Sequence, residues 1–137
     1  MPNAVKRLYL TESEVNEMLD MELALDALDE VFRARSAGEV LNEPRHRLAT
    51  GNGPMNFMAA TWPKKGWAGH KSYVSGDFRV MLYGTRGEGL LAVIGAGRMG
   101  QVRTGAASGI ATRYMARENS SSVGIIGSGY QAQTQLE

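Results

Sequence analysis

The sequence of 137 residues contains no cysteine, only four prolines and few aromatic residues, which amount to 7% of the chain. Without cysteine, disulfide bonds, thiolate catalysis and cysteine-based metal sites are all excluded. No apolar run approaches the roughly 18–20 residues that a membrane-spanning helix requires. The first ten residues, MPNAVKRLYL, also lack the apolar segment of a signal peptide. We therefore expect a cytoplasmic protein that has no membrane partner.

An excess of charge of either sign is absent as well. Fifteen basic and fourteen acidic residues leave a formal net charge of +1. Proteins that bind nucleic acid or acidic membranes through their overall charge carry a clear basic excess, so the sequence predicts no nucleic-acid partner. The hydrophobic share of 43% is ordinary for a globular protein. The length suffices for one domain with a buried core.

The abundant residue type is glycine, with 17 residues, most of them in the second half. Two segments there, GAGRMG at 95–100 and GSGYQA at 127–132, have the spacing of a dinucleotide-binding turn. Such a turn follows a buried parallel strand and opens a helix whose N-terminal amides face the pyrophosphate. Each segment has a strand-like run before it and a helical pattern after it. The spacing alone therefore does not choose between them.

The neighbouring elements favour the second segment. The run before Gly95 is typical of the return strand of a hairpin, FRVMLYG-TRGEG-LLAVI, and is therefore antiparallel. The run VGII at 123–126 follows a helix and a polar break, as the first strand of a new α/β unit would. We predict a buried strand over 123–126 and a phosphate-binding turn over 127–132. We interpret the first segment as a turn between a strand and a helix.

The first half of the sequence predicts helices followed by a mainly antiparallel sheet. A capping box of Thr11 and Glu14 starts a short helix, and Asp20 caps a longer one that ends near Gly38. Over residues 42–94, glycine or proline separates short strand-like runs, with no helix between them. This arrangement favours antiparallel over parallel pairing.

A third long helix is predicted from Gly97 to about Ala116. Gly105 and Gly109 lie inside it, and each is unfavourable by roughly 1 kcal/mol relative to alanine. Together with the small residues next to them, they leave a surface almost without side chains. We expect another backbone or a ligand to approach the helix there.

Three basic residues are candidates for holding an anion. Arg103 lies on an otherwise apolar helical stripe, where a guanidinium needs an anionic ligand or an acidic partner, and the sequence leaves both open. Without further information, the sequence predicts Arg45 as part of a solvated strand edge. It predicts Lys71 as a surface lysine whose aliphatic stem is partly buried. His46 and His70 have no carboxylate pair near them in sequence, so we predict no metal site.

The segment GQVRTGAASGIATRYMAR, followed by SSVGIIGSGYQAQTQLE, resembles the ornithine cyclodeaminase/mu-crystallin family of NAD(P)-dependent proteins, which includes alanine-dehydrogenase-like members. The opening YLTESEVNEMLDMELALDALDEVFRARSAGEV is similar to the first helices of that family. The segments EPRHRL, GHKSYV and VMLYGTRGEGLLAVI resemble its substrate-domain strands. The resemblance extends over essentially the whole sequence. Many members carry acidic residues at the positions of Gly95 and Gly97.

The resemblance implies a division of the chain into two parts. Residues 1–119 would form an α+β substrate-binding and dimerisation domain, with N-terminal helices packed on the mainly antiparallel sheet. Residues 120–137 would form the first βα element of a Rossmann domain, which is truncated after Glu137. A homodimer is implied, because the N-terminal sheets of two subunits join in this family.

The resemblance also implies roles for individual residues. Arg45, Lys71 and Arg103 would hold the α-carboxylate of the substrate, and Arg103 would also lie near the cofactor. Thr104 would lie beside that cofactor, which is NAD or NADP in the full-length family. The 137-residue chain by itself is expected to bind the cofactor weakly or not at all and to be inactive. The remaining cofactor-binding residues would form the phosphate turn: Gly127, Ser128, Gly129, Tyr130, Gln131 and Ala132.

The implied chemistry is a hydride transfer at the α-carbon of an L-amino acid or of the corresponding imine. Family members use this step for cyclodeamination, oxidative deamination or imine reduction, and the sequence does not choose among the three. The alternative hypothesis is a catalytically inactive, truncated dimerisation module that does not bind dinucleotide. It follows from the short second part, because half a Rossmann unit cannot bury its own strand.

Overall fold

The computed structural model describes residues 6–137. The first five residues, which belong to the N-terminal segment predicted to lack a signal peptide, lie outside the described part. None of the helices in residues 6–137 is long and apolar enough to cross a membrane.

The described chain, residues 6–137, forms seven strands and four helices. The strands are β1 Leu8–Leu10, β2 Leu41–Asn42, β3 His46–Ala49, β4 Pro54–Trp62, β5 Trp67–Val74, β6 Asp77–Gly84 and β7 Gly89–Gly95. The helices are α1 Glu12–Met18, α2 Met21–Ser36, α3 Gly97–Met115 and α4 Tyr130–Thr134.

The predicted helix boundaries are confirmed by their caps. The Glu14 backbone amide donates to the Thr11 side chain at 3.3 Å, and the Thr11 amide donates to the Glu14 carboxylate at 2.8 Å, which completes the capping box of α1. The Leu23 amide donates to Asp20 at 2.8 Å at the start of α2. Gly38 follows the end of α2 with φ of +74°, the left-handed conformation in which glycine ends helices.

The sheet is mainly antiparallel, as predicted. Its strand order is β1-β7-β6-β5-β4-β2, and β3 also pairs with β4. The β6–β7 hairpin expected from the sequence is formed. The exception to antiparallel pairing is β1, which lies parallel to β7, with Leu8 opposite Ala92. The β1 strand and the helix that follows it are thereby fixed beside the start of α3.

The core of the helical layer lies between α2 and α3. Ala24 and Leu28 of α2 pack against Val102, Ala106 and Ile110 of α3, and all five are buried. The three α3 residues recur every four positions, so they form one stripe on the helix surface. This stripe fixes which side of α3 faces α2.

The glycine-rich surface of α3 receives another backbone, as expected. Helix α4 packs on α3 at Gly105, where an added Cβ would overlap the carbonyl of Thr134. The Thr134 side chain is 2% exposed, and its hydroxyl donates to the carbonyl of Gln101 at 3.0 Å. Helix α4 therefore has a defined place on α3.

Residues 123–126 do not form the predicted buried strand. Within residues 6–137 they pair with no other strand, Val123 is 77% exposed and Ile126 is fully exposed. A strand of this apolar type gains its backbone hydrogen bonds and its burial from parallel neighbours and covering helices. The described chain offers no such neighbours at this position, so local apolar character did not suffice.

The contact between α3 and α4 generates a prediction for stability. Gly105→Ala places a methyl group against the backbone of Thr134, so we expect a loss of about 1–3 kcal/mol in the free energy of unfolding. Gly109→Ala is the matched control on the same helix. There the nearest atom is the flexible end of Leu25, at 3.0 Å, and the gain in helix propensity offsets the contact. Urea unfolding of both variants measures the difference, and equal losses would contradict the assigned contact.

Candidate functional site

Three cations that are far apart in sequence line one cavity of about 600 Å³. Arg45 lies just before β3, Lys71 is on β5 and Arg103 is on α3. The cavity lies between the sheet and the helices, and Gly100 and Thr104 of α3 also line it. The structure thus brings together the three basic residues that the sequence singled out.

The ammonium group of Lys71 is held close to the first turn of α3. Its Nζ lies 3.5 Å from the carbonyl oxygen of Ala96, and a Cβ added to Gly100 would lie 2.7 Å from it. A side chain at position 100 would therefore displace the ammonium. The Nζ also lies 5.0 Å from the ring centre of Phe78 and 5.9 Å from that of Tyr73.

Tyr73 links Lys71 to Arg45. The Arg45 guanidinium lies 6.0 Å from the Tyr73 ring centre, and Tyr73 stacks on Phe78 with 4.7 Å between ring centres. Tyr73 and Phe78 flank the turn between β5 and β6, in which Ser75 and Gly76 both have positive φ. This is the two-residue hairpin geometry, and it fixes the two rings beside the cations.

The positive charge of this cluster is not neutralised by an acidic side chain. Among residues 6–137, no carboxylate forms an ion pair with Arg45, Lys71 or Arg103. Burial lowers the pKa of Lys71 below its ordinary value, and the nearby Arg103 and Arg45 lower this pKa further. Glu12 raises it in part. Arg103 is exposed and does not belong to the buried stripe of α3, contrary to the expectation from the sequence, and no acidic partner for it is present in the described residues.

A second cavity, also of about 600 Å³, connects the cations with the second glycine segment. Arg45, Lys71 and Thr104 line it together with Tyr130 and Gln131. The Thr104 hydroxyl donates to the carbonyl of Gly100 at 2.7 Å, which leaves its oxygen free to accept a hydrogen bond from the cavity. Two of the predicted cofactor-binding residues of the turn therefore lie beside the cationic cluster.

The first glycine segment is occupied from within the chain. The amides of Gly97 and Arg98, at the start of α3, donate to the carboxylate of Glu12 at 2.7 and 3.3 Å. A Cβ added to Gly95 would lie 2.8 Å from the backbone nitrogen of Glu12. An anion already sits on this helix N-terminus, so it does not offer its amides to a phosphate. The interpretation of Gly95–Gly100 as a strand-to-helix turn agrees with this geometry.

The second glycine segment has open space around its turn. Gly127 has φ of +103°, a conformation that favours glycine, and an added Cβ at Gly127 or Gly129 would meet no atom within 4 Å. A cavity of about 530 Å³ adjoins the segment, and it is lined by Gly127, Ser128, Gly129, Tyr130 and Ala132 among others. The outer side of the turn is therefore open, although the strand that precedes a dinucleotide-binding turn is not formed at 123–126.

Several residues of the site were missed by reasoning from the sequence. Glu12 belongs to a capping segment, and nothing local indicates that its carboxylate reaches a helix 85 positions later. Tyr73 and Phe78 could have been found, because the SG turn between two strand-like runs places them close together. Met58 and Val80 lie directly opposite Lys71 on the neighbouring strands, which only the register reveals.

Known proteins resemble this chain in sequence and in fold. The sequence model of the ornithine cyclodeaminase/mu-crystallin family matches residues 5–137. The chain belongs to this family. Alanine dehydrogenase from Archaeoglobus fulgidus is 35% identical to it over 144 residues, and the match covers 97% of this chain and 44% of that protein.

Solved structures of similar proteins share the fold. An archaeal alanine dehydrogenase dimer with bound NAD superposes with a TM-score of 0.86 at 35% identity, covering 95% of this chain and 43% of that one. The Δ1-pyrroline-2-carboxylate reductase of Thermococcus litoralis, in complex with NADH and L-proline, has a TM-score of 0.81 at 26% identity, covering 94% and 44%. The chain spans less than half the length of these relatives.

The charge cluster generates a prediction for Lys71. Arg103→Gln removes one of the cations that disfavour a second positive charge, so we expect the pKa of Lys71 to rise toward its ordinary value. Arg113→Gln, on the same helix but at its exposed end, is the control and should leave this pKa unchanged. NMR titration of the lysine side-chain carbons measures both. A Lys71 pKa that does not respond to Arg103→Gln would contradict the convergence of the two side chains.

Proposed function

We propose that this chain forms the substrate-binding part of an NAD(P)-dependent protein that acts on the α-carbon of an L-amino acid or of the corresponding imine. The observation that carries the proposal is the convergence of Arg45, Lys71 and Arg103 on one cavity without an acidic partner in the described residues. Three cations whose charge is not neutralised favour an anionic ligand. An α-carboxylate is the anion common to the small molecules in question.

The three cations would hold the carboxylate and orient the rest of the molecule. A guanidinium binds a planar carboxylate through two parallel hydrogen bonds, which fix its direction as well as its position. Arg45 and Arg103 would supply such bonds, and Lys71 would supply a third donor from the floor of the cavity. Because these groups stand on a strand, a strand edge and a helix, the α-carbon would be held in one place relative to them.

The cofactor would be NAD or NADP, which supplies a hydride donor or acceptor when bound. Gly127, Ser128, Gly129, Tyr130, Gln131 and Ala132 would form the turn around its pyrophosphate, and Thr104 would lie between this turn and the carboxylate-binding cations. Bound NAD in the archaeal alanine dehydrogenase and NADH in the reductase support this choice.

The products of the reaction depend on the fate of the imine. The candidate reactions are cyclodeamination, oxidative deamination and imine reduction. The 35% identity to an alanine dehydrogenase favours oxidative deamination. We further propose that residues 1–119 and 120–137 are parts of two domains, and that the protein is a homodimer. The dimeric archaeal alanine dehydrogenase supports the latter.

Substitution of Arg103 tests the carboxylate assignment. Arg103→Ala removes charge-assisted hydrogen bonds, so we expect the KM for the amino acid to rise by about 10- to 100-fold and kcat to fall. The affinity for NAD(H) should change much less. Steady-state kinetics and a separate cofactor titration measure the two effects. Loss of NAD(H) affinity with unchanged amino-acid binding would show that the role of Arg103 is assigned wrongly.

Titration with NADH, followed by nicotinamide fluorescence, distinguishes this function from an inactive dimerisation module. Micromolar binding together with turnover that depends on an L-amino acid would support the proposed function. A stable dimer that neither binds NADH nor turns over any L-amino acid would favour the module.

A further inference from the structure

We propose that the cavity contains a subsite for an extended apolar side chain, built on Ala60, Gly69 and Leu82 and closed by Trp62 and Trp67. This inference rests on the proposed function, because it takes the carboxylate to lie at the cations. It adds the class of substrate: an amino acid, or its imine, with an apolar side chain longer than a methyl group.

The floor of the cavity consists of rows of residues that face each other across β4, β5 and β6. The first row is Met58, Lys71 and Val80, and the second is Ala60, Gly69 and Leu82. All six line the cavity. Residues two apart on a strand point to the same side of the sheet, so the rows follow one another along a single face.

The side chains of the second row rise little above the sheet, because two of its three residues are alanine and glycine. Ala60 has only a methyl group, and Gly69 has no side chain. An added Cβ at Gly69 would lie 3.0 Å from the backbone carbonyl of Met81 on β6, so a larger residue would have little room at this position. A trough therefore begins directly beside the row that carries Lys71. Adjacent rows are about 6.7 Å apart along the strands. The methyl side chain of a bound L-alanine is too short to cross this distance from the row of Lys71 into the second row.

Two tryptophans close the far end of this trough. Trp62 and Trp67 face each other in the third row, and their rings meet edge to face with 6.4 Å between centres. The Lys65 ammonium lies 4.5 and 5.1 Å from the two ring centres and pairs with Glu30 at 2.5 Å. The rings are therefore held in place and bound the cavity at this end, with the buried indole N–H of Trp62 as the polar atom of the wall.

The charge of the cavity disfavours a second ammonium group on the ligand. Among the described residues that line it, none is aspartate or glutamate. A side-chain ammonium in the trough would lose water without gaining an anionic partner and would be repelled by the nearby cations. The trough therefore selects for a neutral, apolar side chain over a basic one of equal length.

Affinities for a series of L-amino acids test this inference, measured by calorimetry on the purified protein. From L-alanine through L-norvaline to L-norleucine, we expect each added methylene group to tighten binding by about fourfold. L-Ornithine has the length of L-norleucine but ends in an ammonium, and we expect it to bind at least tenfold more weakly. Trp62 and Trp67 are the two tryptophans of this chain, so their fluorescence should respond to L-norleucine and much less to L-alanine.

A variant locates the subsite. Ala60→Leu fills the second row, so we expect it to weaken binding of L-norleucine at least tenfold and to leave that of L-alanine nearly unchanged. Ala27→Leu, at an exposed position of α2, is the matched control and should alter neither. The ligand series on the unmodified protein does not depend on the folding of either variant.

The outcomes separate this inference from the function on which it rests. Equal affinities for L-alanine, L-norleucine and L-ornithine, all weakened by Arg103→Ala, would overturn the subsite and leave the carboxylate site standing. Tight binding of L-norleucine that Ala60→Leu does not weaken would also overturn it. Absence of binding for the whole series, or binding that Arg103→Ala does not weaken, would overturn both.

Discussion

The position of α3 depends on a carboxylate from the opposite end of the chain. Glu12 accepts hydrogen bonds from the amides of Gly97 and Arg98, and so neutralises the positive end of the helix dipole. Glu12 itself is placed by β1, which pairs with β7 directly before α3. Because Arg103 and Thr104 lie in the second and third turns of this helix, their place above the sheet follows from where its first turn is fixed.

The carboxylate of Glu12 that fixes α3 also affects the charge of the cationic cluster. Glu12 is the acidic group that raises the pKa of Lys71, while burial and two arginines lower it. Its carboxylate is bound to backbone amides and forms no ion pair with a cation of the cluster in the described residues. The cluster thus keeps a nearby negative charge without being neutralised by it. A site that binds anions needs this separation, because an acidic partner in direct contact would compete with the ligand.

Features that depend on neighbours in sequence were predictable. The capping box at Thr11, the cap at Asp20 and the β6–β7 hairpin each require only a few consecutive residues. The approach of a backbone to α3 was also predictable from Gly105. The convergence of the three cations was expected from the resemblance to a family and not from spacing, because strand register and helix placement decide it.

Features that depend on distant partners were not predictable. The prediction of a strand over 123–126 was wrong, because apolar residues form a buried parallel strand only where neighbouring strands pair with them. The contact of Glu12 with α3 was missed because the two segments are 85 positions apart. The residues that lie opposite Met58, Ala60 and Trp62 on the neighbouring strands follow from the register of three strands. No single run of the sequence determines this register.

The pairing of β1 with β7 has a consequence for how the protein is made. Residue 8 pairs with residue 92, which is synthesised 84 positions later. At a synthesis rate of about 5–20 residues per second, the β1 strand waits for about 4–17 s without a partner. During this time its backbone edge is open to pairing with other nascent chains. Formation of the β1–β7 pair is therefore a non-local event, which depends on the synthesis of β7 and not on that of α1 and α2.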